Sequence, residues 1–188
     1  MGLDKAFLRL GQSTILGLAL ELARAIDGSP RIVGSATKFA GFAPVVEDLY
    51  PDCGPLAGIH AALGATSTDL NLIWAVDMPF LQPSLLNYLV CQARETLATV
   101  VVPRSGGRLQ PLCAIYRRRF AEVAERSLCA GKNKIDPLFA EVETQVVEPE
   151  ELKRNGFCEE MFRNLNTPQD WEEAKMREAA TRLPDKPT

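Results

Sequence analysis

The stretch Leu72-Ile73-Trp74-Ala75-Val76-Asp77-Met78-Pro79 decides how this chain is read. Five consecutive apolar residues without alternation suit a strand buried on both faces, as in a sheet covered by helices on each side. The run predicts a central strand over residues 71–76, with Asp77 as the first polar residue beyond its carboxyl end. Working outward, short apolar runs predict further strands at 31–34, 44–46, 98–102, 112–116 and 144–147. Between them, helical spacing of apolar residues predicts helices at 13–26, 55–63, 83–96, 117–129 and 168–182. This alternation points to an α/β fold, a Rossmann-like three-layer sandwich with a mostly parallel sheet. A glycine turn at Ser105-Gly106-Gly107 separates two β-prone runs with no helix between them, which predicts a local antiparallel excursion.

The chain has 188 residues, the size of one domain. We expect a single domain over residues 1–182 and a frayed tail over 183–188, where two prolines and few apolar groups remain. The 21 Lys and Arg against 24 Asp and Glu leave a net charge of -3, without the basic excess that a nucleic-acid or membrane partner would call for. No apolar run approaches the roughly 20 residues of a membrane span. Ile15, Leu18, Ala19, Leu22 and Ile26 form one stripe of an amphipathic helix capped by Ser13 and closed at Asp27-Gly28, which reads as a core helix and not as a signal peptide. Five scattered cysteines without a CxxC suggest reduced thiols in a cytoplasmic protein, most of them packed as small apolar groups. The single histidine, His60, excludes multi-histidine metal sites. Chemistry must therefore lean on carboxylates, amides, lysine and the backbone.

Three segments could carry that chemistry. Asp77, beyond the end of a buried strand, faces the crevice where ligands of open α/β sheets gather, and could hold Mg²⁺; it could equally cap the turn toward Pro83. In Gly54-Pro55-Leu56-Ala57-Gly58-Ile59 a helix start could receive an anion, or simply join loop to helix. In Asn164-Leu165-Asn166-Thr167-Pro168 two amides share one side of an extended segment, and Thr167 and Pro168 suit the start of a helix. Those amides could support a metal, a phosphate or a heterocycle, or remain surface groups. Arg117-Arg118-Arg119 reads as a solvated helix start, and Lys132-Asn133-Lys134 as a loop or a phosphate contact.

Taken together, the segments at Met1 to Ala6, Pro44 to Asp48, Gly54 to Ile59, Asp77 to Leu81, Gln110 to Leu112 and Asn164 to Pro168 resemble the molybdenum cofactor guanylyltransferase family. The resemblance implies transfer of GMP from GTP to the terminal phosphate of molybdopterin, with Mg²⁺ as cofactor. It also implies molybdoenzymes or their chaperones as recipients of the product. By the same resemblance Lys5 would contact the nucleotide phosphates, Asp48 would help bind GTP, and Asp77 would bind GTP through Mg²⁺. Gln110, Asn164 and Asn166 would contact the pterin substrate. Gly34 falls at a nucleotide-binding position where the family often has asparagine. Two other readings are a cytidylyltransferase acting on the same pterin and a non-catalytic pterin- or partner-binding module. The asparagines of the Asn164 segment favour the guanylyl enzyme, since the cytidylyl relatives tend to have aspartates there.

One departure is large. Met1-Gly2 align with the end of the family's glycine-rich loop, so its first strand and most of that loop are not in the sequence. Such a loop supplies backbone N–H groups to a triphosphate, and each large apolar side chain of a buried strand contributes about 1.5–3 kcal/mol. The expectation is that the strand and loop are encoded upstream and that Met1 is an internal methionine. Sequencing the genomic frame upstream of Met1 tests this: an in-frame strand and glycine-rich loop are expected, and a stop codon directly before Met1 would contradict it.

Overall fold

The computed structural model describes residues 5–26 and 29–181. A short hairpin of β1 (Arg9–Leu10) and β2 (Ser13–Thr14) leads into α1 (Ile15–Ala25). Then come β3 (Ile32–Val33), α2 (Ala36–Phe39), β4 (Val45–Val46), α3 (Pro55–Gly64), β5 (Leu70–Trp74) and α4 (Pro83–Glu95). The chain continues through β6 (Val100–Ser105), β7 (Arg108–Leu109), β8 (Cys113–Arg117), α5 (Phe120–Cys129), β9 (Thr144–Val147), α6 (Pro149–Arg154) and α7 (Pro168–Thr181). Prolines open α3, α4, α6 and α7, where a fixed φ and a missing N–H cost nothing. Thr14, not Ser13, caps α1: its hydroxyl accepts the Gly17 N–H at 3.0 Å. The expected close at Asp27-Gly28 and the expected frayed tail lie outside the described residues.

The fold is mixed α/β, but the sheet is mainly antiparallel, which corrects the mostly parallel expectation. In the larger sheet β5 pairs with β8, β8 with β6 and β6 with β7, all antiparallel; only β9 joins β6 in parallel. The cause is the glycine turn: Gly106 and Gly107 both take positive φ and reverse β6 into β7. The returning chain then inserts β8 between β6 and β5. A second, separate sheet holds only β3 and β4, paired in parallel.

Strands β6 and β8 carry the core on both faces. Val100, Val102, Ala114 and Tyr116 point to a cluster with Leu56, Ile59 and Leu63 of α3 and Phe120 of α5. The alternating Val101, Cys113 and Ile115 point the other way, to Leu85, Leu86 and Leu89 of α4 and Leu152 of α6. Helices therefore cover both faces of one sheet, the three layers read from the sequence. Among the described residues strand β5 stands at one edge of the larger sheet, where a central place was expected. Among the described residues it pairs only with β8, and all five of its residues are only half-buried. Helix α1 packs in two smaller clusters, with Val76 touching both, and through Leu22 it also meets the α4 side of the main core.

Two smaller expectations are corrected. The arginine triplet is not a solvated helix start, because Arg117 ends β8 and its guanidinium donates to the carbonyls of Ala93, Thr96 and Ala98 at 3.2, 2.7 and 3.0 Å. Arg119 adds a bond to Thr99 Oγ1 at 2.9 Å. Arg117 thereby satisfies carbonyls at the C-terminal end of α4, where a positive charge is favourable. Of the cysteines only Cys113 is buried; Cys91, Cys129 and Cys158 are exposed and Cys53 is half-buried.

Phe120 is fully buried between the rings of Tyr116 and Phe139. Phe120→Ala is expected to lower unfolding free energy in urea by about 3–5 kcal/mol. Leu97→Ala, at a residue 77% exposed, is expected to stay within about 0.5 kcal/mol. Similar losses at both sites would refute the assignment of the core.

Candidate active site

Beyond Trp74 the chain runs through Ala75 and Val76 to Asp77, at the carboxyl end of β5. The backbone carbonyl of Asp77 accepts the N–H of Leu165 at 3.0 Å, which brings the segment before α7 against the end of the strand. Leu165 is itself buried, packed with Leu10, Ile15 and Ala174, so the contact is anchored by apolar burial. On the facing side Lys5 Nζ donates to Asn166 Oδ1 at 3.0 Å. Residues far apart in sequence thus meet at one strand end.

The charges there are balanced. Burial raises the Asp77 carboxyl above its usual range, and the Lys5 cation and the residue's own backbone N–H work against that rise. Asn164 Oδ1 is buried and has no hydrogen-bond partner among the described residues. An unmade bond of this kind costs about 1–3 kcal/mol in a folded protein, so the oxygen is an acceptor suited to a cation or a ligand N–H. Among the described residues no group of three or more His, Cys, Asp or Glu converges. Mg²⁺ carried by a nucleotide needs only one or two carboxylates besides phosphate oxygens and water. A desolvated Asp77 and an orphaned amide oxygen are hard oxygen donors that fit it.

A second group forms at the ends of β3 and β4. The Gly34 N–H donates to the Val46 carbonyl at 2.9 Å, and φ at Gly34 is +153°. A Cβ there would lie 3.0 Å from the Phe39 ring, so no asparagine fits this backbone without movement. Asp48 lies over α3: its Oδ1 is 3.9 Å from where a Cβ on Gly58 would stand. Burial raises its carboxyl, opposed by the charge of His60. His60 is buried, with its ring edge-on to Tyr50.

Gln110 belongs to neither group. Its Nε2 donates to the Ser105 carbonyl at 3.1 Å and its backbone N–H to the Pro103 carbonyl at 2.9 Å, which braces the hairpin of β6 and β7. Two residues not foreseen stand behind the asparagines. Asp170 accepts from the N–H groups of Asn166 and Thr167 at 3.1 and 2.8 Å, and Arg163 donates to Asp170 at 3.1 Å. The spacing Thr167-x-x-Asp170, a capping box, could have signalled the first. Arg163 had no local signal.

A family model described as "MobA-like NTP transferase domain" matches residues 1–146. The chain belongs to this MobA-like family. A probable molybdenum cofactor guanylyltransferase of Carboxydothermus hydrogenoformans is 33% identical over 92% of this chain and 87% of its own length. One from Pelotomaculum thermopropionicum is 34% identical over 94% of this chain and 86% of its own. Among solved structures, molybdopterin-guanine dinucleotide biosynthesis protein A of Archaeoglobus fulgidus matches with a TM-score of 0.82 and 26% identity. That match covers 97% of this chain and 93% of the other. The nucleotidyltransferase family named from sequence is thereby established, and the mainly antiparallel larger sheet is the form this MobA-like chain takes.

Lys5→Met removes the charge that opposes desolvation of Asp77. The Asp77 carboxyl is expected to titrate at a higher pH in this variant than in the wild type, followed by ¹³C NMR of labelled aspartate. An unchanged or lower midpoint would show that the two groups are not coupled.

Proposed function

We propose that this chain is an enzyme that transfers GMP from GTP to the terminal phosphate of molybdopterin, releasing pyrophosphate. The observation that carries the reading is the meeting of Lys5, Asn166 and Asp77 at the carboxyl end of β5, in a chain whose relatives carry the guanylyltransferase name. In this reaction a phosphate oxygen of the acceptor attacks the α-phosphorus of GTP, and the bond to the bridging oxygen of pyrophosphate breaks. A phosphate monoester is already largely ionised near neutral pH, with a second pKa of about 6, so little general-base help is needed. Positioning and charge neutralisation suffice, which accords with a chain holding one histidine.

Each role falls to a named group. Lys5 offsets negative charge on the nucleotide phosphates as pyrophosphate departs. Asp77 is the protein's ligand for Mg²⁺, with the Asn164 carbonyl oxygen as a second donor. Bound there, the metal would neutralise phosphate charge. Asn166 and Asn164 hold the acceptor, Asp48 and the backbone at Gly34 lie on the nucleotide side, and Gln110 is assigned to the pterin through the loop it braces. We place the reaction in the cytoplasm, with molybdoenzymes or their chaperones receiving the product. No helix among the described residues is long and apolar enough to cross a membrane.

The test offers the purified protein molybdopterin, Mg²⁺ and each nucleoside triphosphate. GTP should be used best. Equal or better use of CTP would overturn the base assignment, and pterin binding without pyrophosphate release would favour a binding module. Asp77→Asn is expected to abolish Mg²⁺-dependent transfer. Its melting temperature at neutral pH should be unchanged or higher, because a carboxyl raised by burial weakens the fold once it ionises.

A further inference from the structure

We propose that Arg163 and Asp170 are positioning residues of the transfer site, clamping the Asn164 to Asn166 segment against Lys5 and Asp77 and so setting how the acceptor is held. This rests on the proposed function above.

The bonds exceed what a helix cap requires. To start α7, Thr167 Oγ1 accepts the Asp170 N–H at 3.1 Å and Asp170 Oδ2 accepts the Thr167 N–H at 2.8 Å, a reciprocal pair that already completes the cap. The same Oδ2 accepts the Thr167 hydroxyl at 2.8 Å and reaches outside the helix to the N–H of Asn166 at 3.1 Å. Asn166 is the residue whose side chain receives Lys5. The other oxygen of Asp170 accepts from Arg163 at 3.1 Å. Arg163 also binds Glu160 and Glu173, at 3.3 and 2.5 Å, so it is tied to α7 at two points and to the turn before it at a third. Hydrogen bonds from Thr167 and Arg163 hold the Asp170 carboxyl well below the usual range, so it stays charged throughout neutral pH.

The segment is thus pinned at both ends of a short span. At Leu165 it is fixed to Asp77 through the backbone, and at Asn166 and Thr167 to Asp170. Asn166 is thereby held through its backbone by Asp170 and through its side chain by Lys5, and Asn164 directly precedes the anchored Leu165. The cap itself does not call for Arg163, since a helix start prefers anions; its pairs with Glu160, Asp170 and Glu173 tie the capping carboxylate to the chain before the asparagines.

Asp170→Asn presents an amide N–H₂ to Arg163, which breaks that tie, and leaves the N–H groups of Asn166 and Thr167 only a neutral, weaker acceptor, so the cap is kept but loosened. Arg163→Met breaks it from the other side. Either variant is expected to raise the KM for molybdopterin by about tenfold to a hundredfold, with the KM for GTP within about twofold, and the double variant is expected to be no worse than the single ones. Lys175→Ala, which breaks the pair with Glu172 elsewhere on α7, is the control and should leave both constants unchanged. Additive losses, or a change in the KM for GTP equal to that for the pterin, would overturn the proposal. An activity-independent reading is amide exchange at Asn166 and Thr167: faster exchange at these two in Asp170→Asn and Arg163→Met, with the rest of α7 unchanged, supports the clamp, and unchanged exchange there overturns it. If the wild-type protein transfers no GMP, the functional reading fails, while exchange still decides whether the clamp exists.

Discussion

A single carboxylate, Asp77, drawn partly out of water at the end of β5 and faced by one cation, Lys5, sets the terms for the site around it. Burial raises its carboxyl, and Lys5, itself engaged with Asn166, works against that rise. Such a balance suits a reaction whose ligands arrive carrying several negative charges and a divalent cation. An acceptor phosphate that is already ionised needs no histidine base.

The scaffold delivers this balance through packing. The two faces of β6 and β8 are buried against separate helix layers, which fixes the sheet, and β5 hangs from β8 along its full length. The segment before α7 then reaches the strand end because Leu165 is buried beside α1 and its N–H finds the Asp77 carbonyl. Val76, just before Asp77, packs with both clusters of α1, and Leu22 ties that helix to the α4 side of the core.

Much of this was legible in the sequence. The apolar run before Asp77 marks a strand, the prolines at 55, 83 and 168 mark helix starts, and the amides at Asn164 and Asn166 stand out because capping does not explain them. Strand direction was not legible, because a strand covered on both faces reads as one apolar run whether its neighbours are parallel or antiparallel. Inserting β8 beside β5 is a non-local choice with no local mark. The same holds for Arg117 and Arg119, whose partners lie at the end of α4 and the start of β6, and for Gln110, whose amide is turned to its own hairpin. Gly34 shows the reverse case: the lost side chain is evident in the sequence, but only the fold shows that Phe39 fills its place.

The most direct measurement of the central claim follows the fate of labelled phosphorus, using the protein with molybdopterin, Mg²⁺ and GTP labelled at either the α or the γ position. The account predicts that α-label appears in the pterin dinucleotide and γ-label in pyrophosphate, in equal amounts. Label from the γ position in the pterin product, or its release as inorganic phosphate without transfer of the α-label, would contradict it.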